Sequence, residues 1–341
     1  MEWLPDGVLL SCFARVSRLY YPTLSLVSKR FRSLLASPEI HKARSLLAHT
    51  ETCLYVFFES YPRSHWYTLC LKPNQTLPND TYESNFFRSY YTQTPKKKSS
   101  GYVLARVPIP SSPHVRFPGL VAVGYIIYGI EEISYFSKKE DSYSDVWILD
   151  CRTHTWCEAP SLPKKEEGDS GSLKNTFEVF ETKTQIWDTE SITLSETEYN
   201  SYNSISTCID GKFHVMKTGT KGVAYNSKES SWDLIGREMD TEKSLWRCLK
   251  GLVGLPYFTI SGARIRLADY GGKMVILWEG EIQDDPYDLR YGGGYKNIWC
   301  AEIALERRIS EREIWGTVEW FDHVLTVPKA CYLVKVLDVT V

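Results

Sequence analysis

Apolar residues over the first fifty positions recur at helical spacing. Val8, Leu9, Cys12, Phe13 and Val16 fall on one stripe behind Asp6, a residue able to cap a helix N-terminus. Pro22 opens a second helical run, at a position where the missing N–H costs nothing. That run places Leu24, Val27, Phe31, Leu34 and Leu35 on one face and keeps Lys29, Arg30 and Arg32 off it. Ser37-Pro38 ends the run, and 39–48 supplies a last short amphipathic piece. Near residue 53 the period changes to that of strands. Cys53–Phe58 and Trp66–Leu71 are β-branched or aromatic runs, 72–100 is a polar loop, and 101–107 returns to strand. Isolated hairpins of this length are unstable in water, so 53–71 and 102–107 are expected to join a larger β body.

Down the middle of the chain one pattern occurs three times. Leu149 to Trp156, Phe180 to Trp187 and Tyr225 to Trp232 each enclose six mostly polar residues: DCRTHT, ETKTQI and NSKESS. A strand, a polar turn and a returning strand that opens on tryptophan make one hairpin. A second element, strand–turn–strand, occurs at 121–130, 208–216 and 267–277, with Ile127, Phe213 and Met274 equivalent. Gly211, Gly271 and Gly272 sit in its turns, where a tight hairpin demands positive φ. Together the two elements make a four-stranded antiparallel unit of the kind stacked radially in a β-propeller. Trp156, Trp187 and Trp232 then read as residues packing blade on blade. Two spacings are too short for full blades. Trp187 follows Trp156 by 31 residues, and Trp246 follows Trp232 by 14, against about 50 for a repeat of this size. The expectation is at most six blades over 116–341, incomplete near 160–200 and 236–256.

The net charge of -2 excludes a general polyanion binder, although residues 1–48 are locally basic. The nine cysteines form no CxxC pair and read as reduced thiols of an intracellular protein. Histidines are scattered without HxH or HExxH spacing, so neither a metal nor another cofactor is expected. No apolar run approaches the roughly 18 residues of a membrane span, and the opening MEWLPDG is no secretory signal. The sequons at Asn74 and Asn79 and the lysine run Lys96–Lys98 read as features of a solvated loop.

The opening segment, from Leu4-Pro5 through Val27-Ser-Lys-Arg-Phe-Arg-Ser-Leu34, resembles an F-box, and the repeats resemble kelch motifs. The run from Ile298 to Trp320 is similar to the last blade of plant F-box/kelch-repeat proteins. The resemblance implies a small all-α F-box module (1–48), a connecting region with a β-hairpin and polar loop (49–115), and an all-β kelch-type β-propeller with truncated blades (116–341). It also implies the role of substrate receptor in a Skp–cullin–F-box ubiquitin ligase, cytoplasmic or nuclear and without catalytic residues. The partners are a Skp-type adaptor, cullin through it, and an unidentified protein substrate, with no nucleic acid and no membrane. Leu4, Pro5, Leu9, Val16, Leu24, Val27 and Phe31 match the F-box pattern and are expected to form its core and adaptor surface. Three other readings stay open: a propeller enzyme, which needs clustered ligands on one face; a DNA-binding helix pair at 8–35; and a decayed member that binds the adaptor but captures nothing.

Overall fold

The computed structural model of the chain describes residues 4–60, 63–72, 100–109, 113, 119–130, 145–160, 176–177, 180–187, 192–193, 204–209, 212–217, 222–226, 229, 231–235, 249–255, 264–284, 294–308 and 313–341. They belong to two compact units, Met1–Ser161 with Leu249–Val341, and Leu162–Cys248.

The first unit opens with four helices, α1 (Asp6–Phe13), α2 (Tyr21–Ser25), α3 (Lys29–Leu35) and α4 (Pro38–Leu46), with a 3-10 turn at Arg18–Tyr20. Asp6 is the first helical residue of α1 and does not cap it; its carboxylate pairs with Arg30 at 2.6 Å. The run from Pro22 to Leu35 is two helices, not one. Ser28 adopts extended backbone (φ -159) and its hydroxyl accepts from Phe31 N at 3.1 Å, so a cap forms where periodicity suggested continuity. Leu9, Phe13, Ala14 and Ile40 make the buried centre of this module, with Leu24, Phe31, Leu34 and Leu35 packed around it.

The chain then enters β1 (Thr52–Glu59), β2 (His65–Leu71) and β3 (Tyr102–Arg106), so the hairpin region does join the β body. A second meander follows: β4 (Gly119–Val123), β5 (Ile126–Ile130), β6 (Val146–Asp150) and β7 (Thr155–Ala159). In the second unit β8 (Thr176–Phe177) pairs with β11 (Ile192–Thr193), and β9 (Phe180–Glu181) pairs with β10 (Ile186–Trp187). Among the described residues these four short strands form two separate two-stranded sheets. β12 (Ser204–Ile209), β13 (Lys212–Lys217), β14 (Gly222–Asn226) and β15 (Ser231–Ile235) form another four-stranded sheet.

The first unit resumes with β16 (Ile265–Tyr270), β17 (Lys273–Asp284), β18 (Gly294–Arg308) and β19 (Glu313–Pro328). The last strand, β20 (Tyr332–Thr340), returns to pair with β1 along its length, from Thr52–Thr340 to Glu59–Tyr332. The sheet order β20-β1-β2-β3 thus joins both ends of the β region in one blade. The fold is a small helical module followed by antiparallel sheets, four of them four-stranded and two of them two-stranded among the described residues.

The apolar run of β1 follows from this position. Leu54, Val56 and Phe58 pack with Val275, Leu277, Ile298 and Cys300 of the last sheet. Cys53, Tyr55 and Phe57 pack with Leu120, Ile127, Leu149 and Cys151 of the second. A strand covered on both faces has no polar face to alternate. The expected remnant at 245–252 lies outside the described residues up to Cys248. Beyond it, Lys250 forms a parallel bridge with Trp315 on the outer strand of the last sheet, and Leu252 and Leu255 cover Ile276, Trp278 and Ile303.

Candidate functional site

The repeated hairpins have a common geometry. Leu149 pairs with Trp156, Phe180 with Trp187 and Tyr225 with Trp232, so the first and last residues of each eight-residue pattern face each other. In the first two the fifth position after the opening residue is left-handed, His154 (φ 57) and Gln185 (φ 56). Each donates its backbone N–H four residues back, to Asp150 O at 2.7 Å and Glu181 O at 2.8 Å. The leading acid accepts the N–H two residues on: Arg152 N reaches Asp150 Oδ1 at 2.8 Å and Lys183 N reaches Glu181 Oε1 at 3.0 Å. Trp156 is half-buried and meets Trp66 of the first sheet with ring centroids 6.3 Å apart. Trp187 is buried against Phe180. The side chain of Trp232, and all of Gly211 and Trp246, lie outside what is described. Gly271 and Gly272 form the turn of β16 and β17 at φ 63 and 82.

The residues expected at the adaptor surface separate into three groups. Leu9 is buried in the helical core and Leu24 and Phe31 pack beside it. Val16 sits at the junction with the sheets, where its carbonyl accepts from Arg44 Nη1 at 3.1 Å. Leu4 (42% exposed), Pro5 and Val27 (63%) face outward. Two residues absent from that set join them, Val8 (44%) and Leu26 (67%). Arg30 ties the two outward segments together, donating to Leu4 O at 2.5 Å and to Asp6 Oδ1 at 2.6 Å. Val8 had the helical spacing that pointed to it; Leu26 had no signal, because only the break at Ser28 turns it outward.

The helical module is locked to the sheets through Glu51. One carboxylate oxygen accepts from Ser17 Oγ, and the other accepts from Arg18 N at 2.9 Å and Arg44 Nη2 at 3.0 Å. Arg44 is only 2% exposed, so this pair is shielded from solvent screening. The Glu51 backbone exchanges two hydrogen bonds of 2.9 Å with Val341. The Arg18 charge acts on Cys53, Tyr55 and Cys151 at the interface of the first two sheets. There the Tyr55 hydroxyl donates to Cys151 O at 3.0 Å and meets His154 Nε2 at 2.8 Å. Burial, followed by the Arg18 cation, pushes both His41 and His154 down to about 4.

Among the described residues no group of three or more His, Cys, Asp or Glu side chains is placed to hold a metal ion, and no helix is long and apolar enough to cross a membrane. The arrangement offers an exposed apolar surface on a rigidly mounted helical module. Comparison with known proteins shows the family. The F-box domain model matches residues 1–43, the Kelch motif model 125–163 and the FKB95 Kelch-repeats domain model 234–325. The F-box/kelch-repeat protein At5g51250 of Arabidopsis thaliana is 48% identical, over 99% of both chains. The putative F-box/kelch-repeat protein At5g38680 of the same plant is 45% identical, over 99% of this chain and 95% of its own. This chain belongs to the F-box/kelch-repeat family. The first alignment spans 387 positions against 341 residues here, so at least 46 positions of it face gaps in this chain. A family member shortened internally accords with the close tryptophan spacings.

Proposed function

We propose that this F-box/kelch-repeat chain is the substrate-recognition subunit of a Skp–cullin–F-box ubiquitin ligase. Its F-box docks a Skp-type adaptor, cullin is reached through that adaptor, and the kelch sheets capture the protein to be ubiquitinated. The observation that carries this reading is the outward apolar surface of Leu4, Pro5, Val8, Leu26 and Val27 on a module that buries Leu9, Phe13, Ala14 and Ile40 at its core. Exposed apolar groups brought together on a domain this small favour a partner surface over water. In this assignment Leu9, Leu24 and Phe31 shape the surface from beneath, and the Val16 carbonyl holds Arg44, which reaches Glu51. Trp156, Trp187 and Trp232 are packing residues of the blades, and the turn glycines serve the hairpins. The chain binds and orients; it supplies no catalytic group.

Transfer of ubiquitin demands a fixed distance between adaptor and captured protein, and the Glu51 junction supplies stiffness where a free linker would give none. Affinity purification of the tagged chain from plant cells under proteasome inhibition tests the reading. Adaptor, cullin and at least one enriched protein that accumulates with ubiquitin chains are expected. Recovery of the chain without adaptor would overturn it.

A further inference from the structure

Opposite the helical module, cations gather where the last sheet meets the first. β1 leaves the Glu51 junction at Thr52 and its other end, Glu59, pairs with Tyr332. Seven residue steps of about 3.3 Å put Tyr332 roughly 23 Å from the junction. There Arg264 lies over the Tyr332 ring at 4.7 Å and Lys296 Nζ over the same ring at 4.6 Å. Arg266, two residues after Arg264, donates through Nε to Val334 O at 2.6 Å and through Nη1 to Ile265 O at 2.9 Å. Lys335 stands next along β20 and is exposed.

Among the described residues the cations at this place outnumber the carboxylates. Glu279 pairs with Lys296 at 3.0 Å and spends its other oxygen on Leu333 N at 2.7 Å. Among the described residues no carboxylate lies within 4.0 Å of Arg264, Arg266 or Lys335. Partial burial and then the charge of Arg264 lower the Arg266 pKa against the opposing pull of Glu279; partial burial and then Arg266 lower that of Lys335. Three like charges held close together, in a chain of net charge -2, favour an anion here over a basic surface at large.

We propose that this cluster of Arg264, Arg266 and Lys335 beside Tyr332 is a substrate subsite for an extended acidic segment of a protein. The inference rests on the receptor reading and names its substrate chemistry. Side chains two apart on a strand are about 6.6 Å apart on one face. Arg264 and Arg266 therefore match carboxylates at alternate positions of an extended peptide. A nucleic acid would need a basic stripe tracking its backbone, and three cations on two strands are too few.

The probe is a fluorescein-labelled alternating Glu-Ala octapeptide, titrated by anisotropy against the full chain at low and moderate salt. A Gln-Ala octapeptide and an eight-nucleotide oligothymidylate serve as competitors. Wild type is expected to bind the acidic peptide in preference to both, with affinity falling as salt rises. Arg264→Gln with Lys335→Gln, which leaves the Arg266 bridge between strands intact, should weaken binding at least tenfold. Arg307→Gln, at the opposite end of the sheets, should leave it unchanged. No binding by wild type, equal binding by the double variant, or preference for the oligonucleotide overturns the proposal. Adaptor capture is measured on the same samples: its loss in wild type would refute the receptor reading, and its presence leaves the peptide result to judge the subsite alone.

Discussion

At the residue scale the blades are specified by a few backbone positions. The eight-residue tryptophan pattern was legible because its ends pair directly. The left-handed residue inside it was not, because His154 and Gln185 carry none of the glycine signal that marks positive φ. His154 also gives the chain an acid sensitivity. It is held neutral at the Tyr55 hydroxyl, facing Arg18, His41 and Asp150, with its pKa near 4. Between about 6.5 and 4 the unfolded chain binds the proton that the folded chain refuses, so stability falls as pH drops through that window. His154→Asn keeps a residue tolerant of φ 57 and removes the titration. The loss of stability from pH 7 to 4, on the order of 2 kcal/mol from this group, should shrink in denaturant titrations of the variant. An unchanged acid limb would contradict the buried neutral assignment. Gly251 and Gly272 make a second comparison, since both have φ 82. A Cβ on Gly272 meets open space, whereas one on Gly251 meets Gly316 O and the Trp315 ring at 2.8 Å. Gly272→Ala should cost about 1–2 kcal/mol for backbone alone, and Gly251→Ala a further 1–3 kcal/mol for overpacking. Equal urea midpoints would show that 249–255 does not pack on the last sheet.

At the element scale, what was legible is what local pattern decides. The helical segments, the hairpins and the strand at 53–58 all announced themselves through period and residue type. The partner of that strand did not, because pairing of 52–59 with 332–340 depends on how many blades intervene, which no local signal encodes. The break at Ser28 was hidden because Val27 and Phe31 keep helical spacing across it. The junction at Glu51 is likewise a long-range product: the adjacent Ser17 and Arg18 and the distant Arg44 converge on it from two places in the helical segment. Removing one partner of a buried pair strands the other charge, and typically costs 3–5 kcal/mol. Glu51→Gln keeps some hydrogen bonds and should cost about 2–3 kcal/mol in thermal or urea unfolding. It should also raise amide exchange across 14–21 and 40–48 while leaving β17 and β18 protected. Uniform exchange throughout would mean the module is not held by this residue.

At the scale of the whole molecule, an outward apolar helical surface sits at one end of β1 and a cluster of cations lies at the other. The outward set differs from the set read in the sequence for a physical reason. A consensus position is used either for the module's own core or for its surface, and burial separates Leu9, Leu24 and Phe31 from Leu4, Pro5 and Val27. The measurement that tests the central claim most directly is the affinity of the purified chain for a recombinant plant Skp-type adaptor by calorimetry. Wild type is compared with a Val8→Asp, Val27→Asp variant in which both changes are exposed, so its melting temperature should not move. Interface anchors of this kind are worth about 2 kcal/mol or more each, and the double change should weaken binding at least a hundredfold. Full affinity in the variant, with folding intact, would contradict the account.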